Sequence, residues 1–299
     1  MVRAYTALTI CVAIWGSNFV FGKMLVQDFS PSLLTTLRLF FIVLLLFGLS
    51  LHKPLKVKLK PSEWVAVIAL GVVGIFMNQW SFYKGLETAD PTTAALILAT
   101  TPIVTGFLAS IFLKEKITLP MLGGSVVAIT GIYFVVSDGK SLSLETDKGL
   151  MWITVTMVSF AIMIIMTRGL SLKFDPLTIT LYSNIVGFIV SIPFVFLLDN
   201  PLQMSTRFSS WALLIGTAII VHGIATLMWN NYIRYVNAAR AAILSNLEPF
   251  IAMVMGLILL SKPITGVELI GSLFIVGGVV LSTYQRRKRL AVSYDEQRE

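Results

Sequence analysis

The chain has 299 residues, of which only 13% are charged and 56% hydrophobic, and its mean hydropathy is +0.86. A soluble protein carries about 25% charge, so a soluble enzyme or a nucleic-acid-binding module is excluded, and the net charge of +8 has meaning only through its position along the chain. With one cysteine, Cys11, and two histidines, His52 and His222, neither an intramolecular disulfide nor a cysteine or histidine metal cluster is expected.

Apolar runs separated by short polar breaks predict ten membrane helices, over roughly 4–22, 32–51, 63–83, 91–113, 119–137, 149–167, 176–198, 209–233, 238–260 and 264–284. The start, "MVRAYTALTICVAIWGSNFVF", has no small-residue cleavage site before a polar segment and reads as a retained first helix. The breaks are too short for a soluble domain, and "DGKSLSLETDK" at 138–148 is the longest polar link. With a cytoplasmic N-terminus, sixteen Lys and Arg fall on the inner side, among them Arg3, Lys53, Lys56, Lys58, Lys60, Lys114, Lys116, Arg168, Lys173, Arg234 and Arg240. Six fall outside: Lys23, Lys84, Lys140, Lys148, Arg207 and Lys262. The bias places both termini in the cytoplasm.

Shifted by 145 to 147 residues, the first half overlays the second. Pro31 meets Pro176, Trp64 meets Trp211, Pro102 meets Pro249, Gly131 meets Gly278, and "GS" at 124–125 meets "GS" at 271–272. Five helices per half is an odd number, so the second copy enters the membrane the other way up, and loop charge follows the membrane side rather than the position in the repeat. The expected fold class is therefore an all-α polytopic membrane protein of two inverted five-helix repeats, at 1–140 and 148–285, with a charged cytoplasmic tail at 286–299.

"AIWGSNFVFGK", "TTLRLF" and "TAALILATTPIVTGFLASIFLKEKIT" in the first half resemble the EamA family of the drug/metabolite transporter superfamily, and "ARAAILSNLEPFIAMVMGLILLSKPIT" and "GSLFIVGGVVLS" repeat the pattern in the second. The resemblance covers essentially the whole chain. It implies a ten-helix exporter of small metabolites, with amino acids and their derivatives as recurrent substrates. The acidic residue before a half's last helix, present as Glu115, is replaced by Lys262 in the second half, so a role for that acid is not expected there.

Polar groups in apolar helices mark the candidate site. A charge at the bilayer centre costs at least ~2.5 kcal/mol and usually marks a pathway. Glu248 and His222 come out near the midplane from the helical rise, and Arg38 lies about 9 Å in from the outer face. The candidate substrate-binding residues are Trp15, Asn18, Arg38, Asn78, Tyr182, Asn184, His222, Trp229, Asn230 and Glu248. Arg38 has a planar fork suited to a substrate carboxylate; its alternatives are a static ion pair or a structural hydrogen bond. Asn18, Asn78 and the tryptophans serve equally well as interhelical packing groups. Pro102 and Pro249 cannot donate to the carbonyls of Leu98 and Ser245, which predicts matched bends that line a cavity and act as gates.

Catalytic signatures are absent. "DGKS" lacks the first glycine of a P-loop and follows a helix, and there is no HExxH. The expected activity is secondary transport, in the direction of export, with no cofactor. The expected partners are a small-molecule substrate, the lipid bilayer and, through Glu248, a proton. A membrane-embedded enzyme acting on a lipid-linked substrate and a non-transporting accessory protein are the alternatives. The expected location is a bacterial cell membrane. Reporter fusions after residue 60 should report cytoplasm and fusions near residue 143 the exterior; the reverse pattern would remove the inversion.

Overall fold

A computed structural model describes residues 2–52, 59–89, 94, 97–98, 100–137, 148–199, 201–260 and 265–283. The lysines at 53, 56 and 58, part of the fourth predicted helix, most of the 138–148 link, Lys262 and the tail lie outside the described residues. The described chain is nearly all helical: α1 Val2–Asp28, α2 Pro31–His52, α3 Pro61–Thr88, α4 Thr101–Phe112, α5 Leu119–Ser137, α6 Lys148–Ser171, α7 Pro176–Leu198, α8 Phe208–Tyr235, α9 Ala238–Leu244, α10 Glu248–Leu260 and α11 Gly266–Thr283. Its only β feature among the described residues is an isolated bridge between Phe29 and Met204.

Seven helical segments are long and apolar enough to span a bilayer, counting α9 and α10 as one rod at Ala238–Leu259, and three shorter apolar stretches lie in α4, α5 and α11. Several helices run past their apolar cores. α1 continues through Lys23, whose ammonium reaches the Leu86 carbonyl at 2.7 Å. The ends are set by recognisable caps. Both α2 and α7 open on a proline, where the missing N–H costs nothing. Asp175 caps its own helix by accepting from the Leu177 N–H at 3.1 Å, whereas α2 is capped from the other half of the chain, by Asp199 accepting from the Leu33 N–H at 2.8 Å.

Two departures from α geometry occur at matching places. Leu70–Met77 within α3 and Ala218–Ile224 within α8 are π-helical, and a shift of 147 residues places one on the other. Packing follows the same pairing. α3 lies on α6 as α8 lies on α1, α4 lies on α6 as α10 lies on α1, and α2 pairs with α7. α5 and α11, each half's last helix, pack along one another. There a Cβ on Gly131 would meet the Gly271 carbonyl and the Ile275 nitrogen, and one on Gly278 would meet the Gly124 carbonyl at 2.5 Å. The contact is reciprocal, glycine against the backbone of the partner helix, as close packing in lipid favours.

Gly131→Ala and Gly278→Ala should each therefore lower stability by about 1–3 kcal/mol through overpacking, read as a drop in melting temperature of the detergent-purified protein. Two variants that melt with the wild type would remove this contact from the account.

Candidate functional site

A cavity of about 730 Å³, counting all atom-free space to its open part, lies between the two halves. From α1 come Trp15, Asn18 and Phe19, and from α3 come Gly74, Ile75, Asn78, Gln79 and Phe82. Leu98 completes the first half's contribution. The second half contributes Thr156, Phe160 and Met163 from α6, Asn184 from α7, His222 and Thr226 from α8, and Glu248 from α10.

The irregular helices build this space. At Pro249 the rod tightens without breaking: α9 passes through one 3₁₀ turn at Ser245–Leu247, with Leu244, Ser245 and Glu248 all in the right-handed helical region, into α10 with Pro249 in its first turn. The Ser245 carbonyl that proline leaves unpaired accepts from the Glu248 N–H. Likewise α4 starts at Thr101 with Pro102 in its first turn, and the freed Leu98 carbonyl accepts from the Thr101 hydroxyl at 2.5 Å. Gly16 lets α1 press against Glu248, since a Cβ there would lie 2.8 Å from the Glu248 carbonyl. Glu248 is 9% exposed, and its Oε1 has no hydrogen-bond partner. The π-helical stretches supply Gly74, Ile75 and His222. Carbonyls loosened around the second are met from α1, where Trp15 Nε1 donates to Val221 O at 2.9 Å and Cys11 Sγ to Ala225 O at 3.2 Å.

Six of the residues singled out by sequence line the cavity together: Trp15, Asn18, Asn78, Asn184, His222 and Glu248. Arg38 does not face it. The guanidinium is fully buried one side chain behind the wall, donating to Thr217 Oγ1, to the Thr217 carbonyl at 3.3 Å and to His222 Nδ1 at 2.7 Å, with its Cζ 5.4 Å from the centre of the Tyr83 ring. Guanidinium only donates, so His222 Nδ1 is the acceptor and its proton sits on Nε2. Arg38 thus fixes the imidazole as a donor on its other edge. Trp229 lies behind Trp15, ring centres 4.8 Å apart. Asn230 bonds Thr180 Oγ1 at 2.7 Å, and Tyr182 packs on Trp64 at 5.2 Å; neither lines the cavity.

Sequence reasoning missed Gln79, Phe19, Phe82, Thr156 and Phe160 as lining residues. Gln79 carried a signal, since it sits beside Asn78 in "FMNQW". Neighbours in a helix point about 100° apart, so the cavity takes both only because it wraps around this part of α3. The phenylalanines carried none, being indistinguishable from lipid-facing residues by type.

Beyond the cavity, α4 and α9 meet at the end that bears Arg168 and Arg234. α4 ends at Phe112, Lys114 just beyond it takes a left-handed φ of 54°, and the next N–H, of Glu115, turns back to the Ala109 carbonyl at 3.2 Å. Glu115 then accepts from the Ala238 N–H at 2.9 Å, at the start of α9, and stands 3.6 Å from Arg168, which itself donates to the Arg234 carbonyl. No group of three or more His, Cys, Asp or Glu suited to a metal occurs among the described residues.

The EamA-like transporter family matches the chain twice, over residues 2–137 and 147–284. This chain belongs to that family. It is 24% identical over 291 residues to the uncharacterized transporter YetK of Bacillus subtilis, covering 95% of this chain and 88% of that protein. It is 26% identical over 288 residues to an uncharacterized transporter of Archaeoglobus fulgidus, covering 95% and 100%. A solved crystal structure superposes with a TM-score of 0.81 over 94% of this chain and 98% of its own, at 16% identity, a likeness of fold. The chain is thus a multi-pass membrane protein of transporter type.

Burial raises the pKa of the Glu115 carboxyl above the usual range, outweighing the pull of Arg168 and of the Ala238 and Ala239 N–H groups. A raised folded pKa gives stability that is complete below the unfolded value and lost as pH rises through the folded one. The melting temperature of the wild type should therefore fall relative to Glu115→Gln as pH rises from about 4 to 7. Glu115→Ala should cost about 1–3 kcal/mol at any pH by orphaning the α9 N–H groups. A wild type that instead gains on Glu115→Gln over this range would show that the ion pair dominates.

Proposed function

We propose that this protein is a secondary transporter, working as an exporter of small metabolites, with amino acids and related compounds as its substrates. The single observation that carries this reading is the cavity: it takes its walls from both halves, lies beside the matched prolines 102 and 249 in the first turns of α4 and α10, and holds a buried carboxyl whose Oε1 has no hydrogen-bond partner among the described residues. Its lining mixes apolar and aromatic side chains with a few polar groups, the usual make-up of a small-molecule site. Family membership supports transport, and the relatives' names go no further than transporter.

In this reading the two halves are inverted repeats in the cell membrane, both termini are cytoplasmic, and substrate meets the cavity alternately from either side as the two units rock against each other. Pro102 and Pro249 mark the hinges. The Glu115–α9 contact closes one end. Glu248 carries the coupling proton, because a carboxyl facing a cavity can exchange its proton when access changes.

The test is solute movement by the purified chain in liposomes, screened over labelled small metabolites with and without an imposed pH gradient. Movement of at least one solute, accelerated by the gradient, is expected, and Glu248→Gln should slow the gradient-driven component by about tenfold or more. Proton-driven movement by Glu248→Gln at the wild-type rate and with unchanged pH dependence would end the coupling assignment. No movement of any solute by folded protein would end the transport reading itself.

A further inference from the structure

We infer that the cavity recognises its ligand through a protonated amine, held by Glu248 and an aromatic wall, and makes no use of a ligand carboxylate. The inference deepens the transport reading and rests on it only in taking this cavity as the substrate site.

The first argument is the charge inventory. Among the described lining residues the ionisable groups are Glu248 and His222, and no Lys or Arg is present. Arg38, the natural seat for a carboxylate, is fully buried behind the wall with Thr217 and His222 on its N–H groups.

The second is the character of the unsatisfied groups. Asn18 Oδ1, Gln79 Oε1 and Glu248 Oε1 are buried and have no hydrogen-bond partner among the described residues, in side chains of residues exposed by 5%, 5% and 9%. All three are acceptors. A buried acceptor left unpaired is costly, and an ammonium is the small group that offers several N–H donors at once. Two of the lining amide donors are already engaged, Asn78 Nδ2 on the Thr156 carbonyl at 3.1 Å and Asn184 Nδ2 on the Thr180 carbonyl at 2.7 Å. A carboxylate would face acceptor oxygens and the Glu248 carboxyl, with only uncharged donors, His222 Nε2–H and the Gln79 amide, to receive it.

The third is the apolar wall. Trp15, Phe19, Phe82 and Phe160 line the same space, Trp15 edge-on to Phe160 at 5.9 Å and Phe19 edge-on to Phe82 at 5.3 Å. Ring faces attract cations and repel anions through their quadrupole. One carboxyl among aromatic rings is a site for an organic ammonium.

The experiment compares three probes on one carbon frame, 2-phenylethylamine, phenylalanine and 3-phenylpropionate, binding to the purified full chain by saturable calorimetric titration and by mutual competition. The amine should bind at least about tenfold more tightly than phenylpropionate, with phenylalanine between them. Glu248→Gln should weaken the amine by about tenfold or more and leave phenylpropionate unchanged. The competition order in the wild type needs no variant and so stands if Glu248→Gln fails to fold. Phenylpropionate or phenylalanine binding as tightly as the amine would overturn the inference. So would Glu248→Gln that binds the amine like the wild type, or no amine binding in the millimolar range. Binding is read apart from movement: an amine that binds but never crosses liposomes sinks transport and leaves recognition standing, whereas movement of solutes without amine preference does the reverse.

Discussion

A backbone carbonyl released from its helix inside a bilayer finds no water, and the departures from regular helix at Pro102, at Pro249 and in α8 are each answered by a donor close by. The carbonyl orphaned by Pro249 takes the Glu248 N–H, and that orphaned by Pro102 takes the Thr101 hydroxyl. The π-helical stretch of α8 is met by the indole of Trp15 and the thiol of Cys11, both on α1. These repairs let helices tighten or bulge at one level, and the space they leave is the cavity. Site and repair are the same residues: Trp15 satisfies α8 with its N–H while its ring forms wall, and Glu248 closes the 3₁₀ turn with its backbone while its carboxyl faces the opening.

The scaffold and the chemistry obey different rules. The scaffold is duplicated: prolines at 102 and 249, π-helical stretches 147 residues apart, and glycines at 131 and 278 pressed onto the partner helix. The chemistry is not. Under the same pairing Glu248 stands where the first half has Thr101, His222 where it has Ile75, and Asn78 where the second half has Ala225; Arg38 answers to Ser183. A duplicated frame supplies two ways for the halves to meet, and unlike side chains at equivalent places give the cavity one polarity.

The apolar runs, the duplication, the irregular turn at Pro249 and six wall residues were legible in the sequence because each rests on hydropathy, register or a residue type rare in lipid. What was not legible depends on distant partners. Arg38 read as a substrate ligand because its depth and charge were visible, but Thr217 and His222, which occupy it, lie 179 and 184 residues away. Tyr182 and Asn230 had suitable chemistry and depth, and helix rotation turned them onto Trp64 and Thr180. The π-helical stretches have no sequence signature, yet they place Gly74, Ile75 and His222 in the cavity wall. Glu115 was visible as an acid at a turn, but its acceptor role at the start of α9 spans 123 residues.

That last contact bears on how the molecule opens. Glu115 binds the first N–H groups of α9, and α9 leads through the 3₁₀ turn directly to Glu248. The carboxylate that closes one end and the carboxyl in the cavity are thus joined by a single short helix. Opening that end removes an acceptor from N–H groups with no intrahelical alternative and separates Arg168 from its counter-charge. The cost falls on the segment whose position sets Glu248 against Gly16. In the proposed transport cycle, a ligand held by Glu248 would act on the same element that Glu115 holds, and coupling between the two would need no path longer than α9.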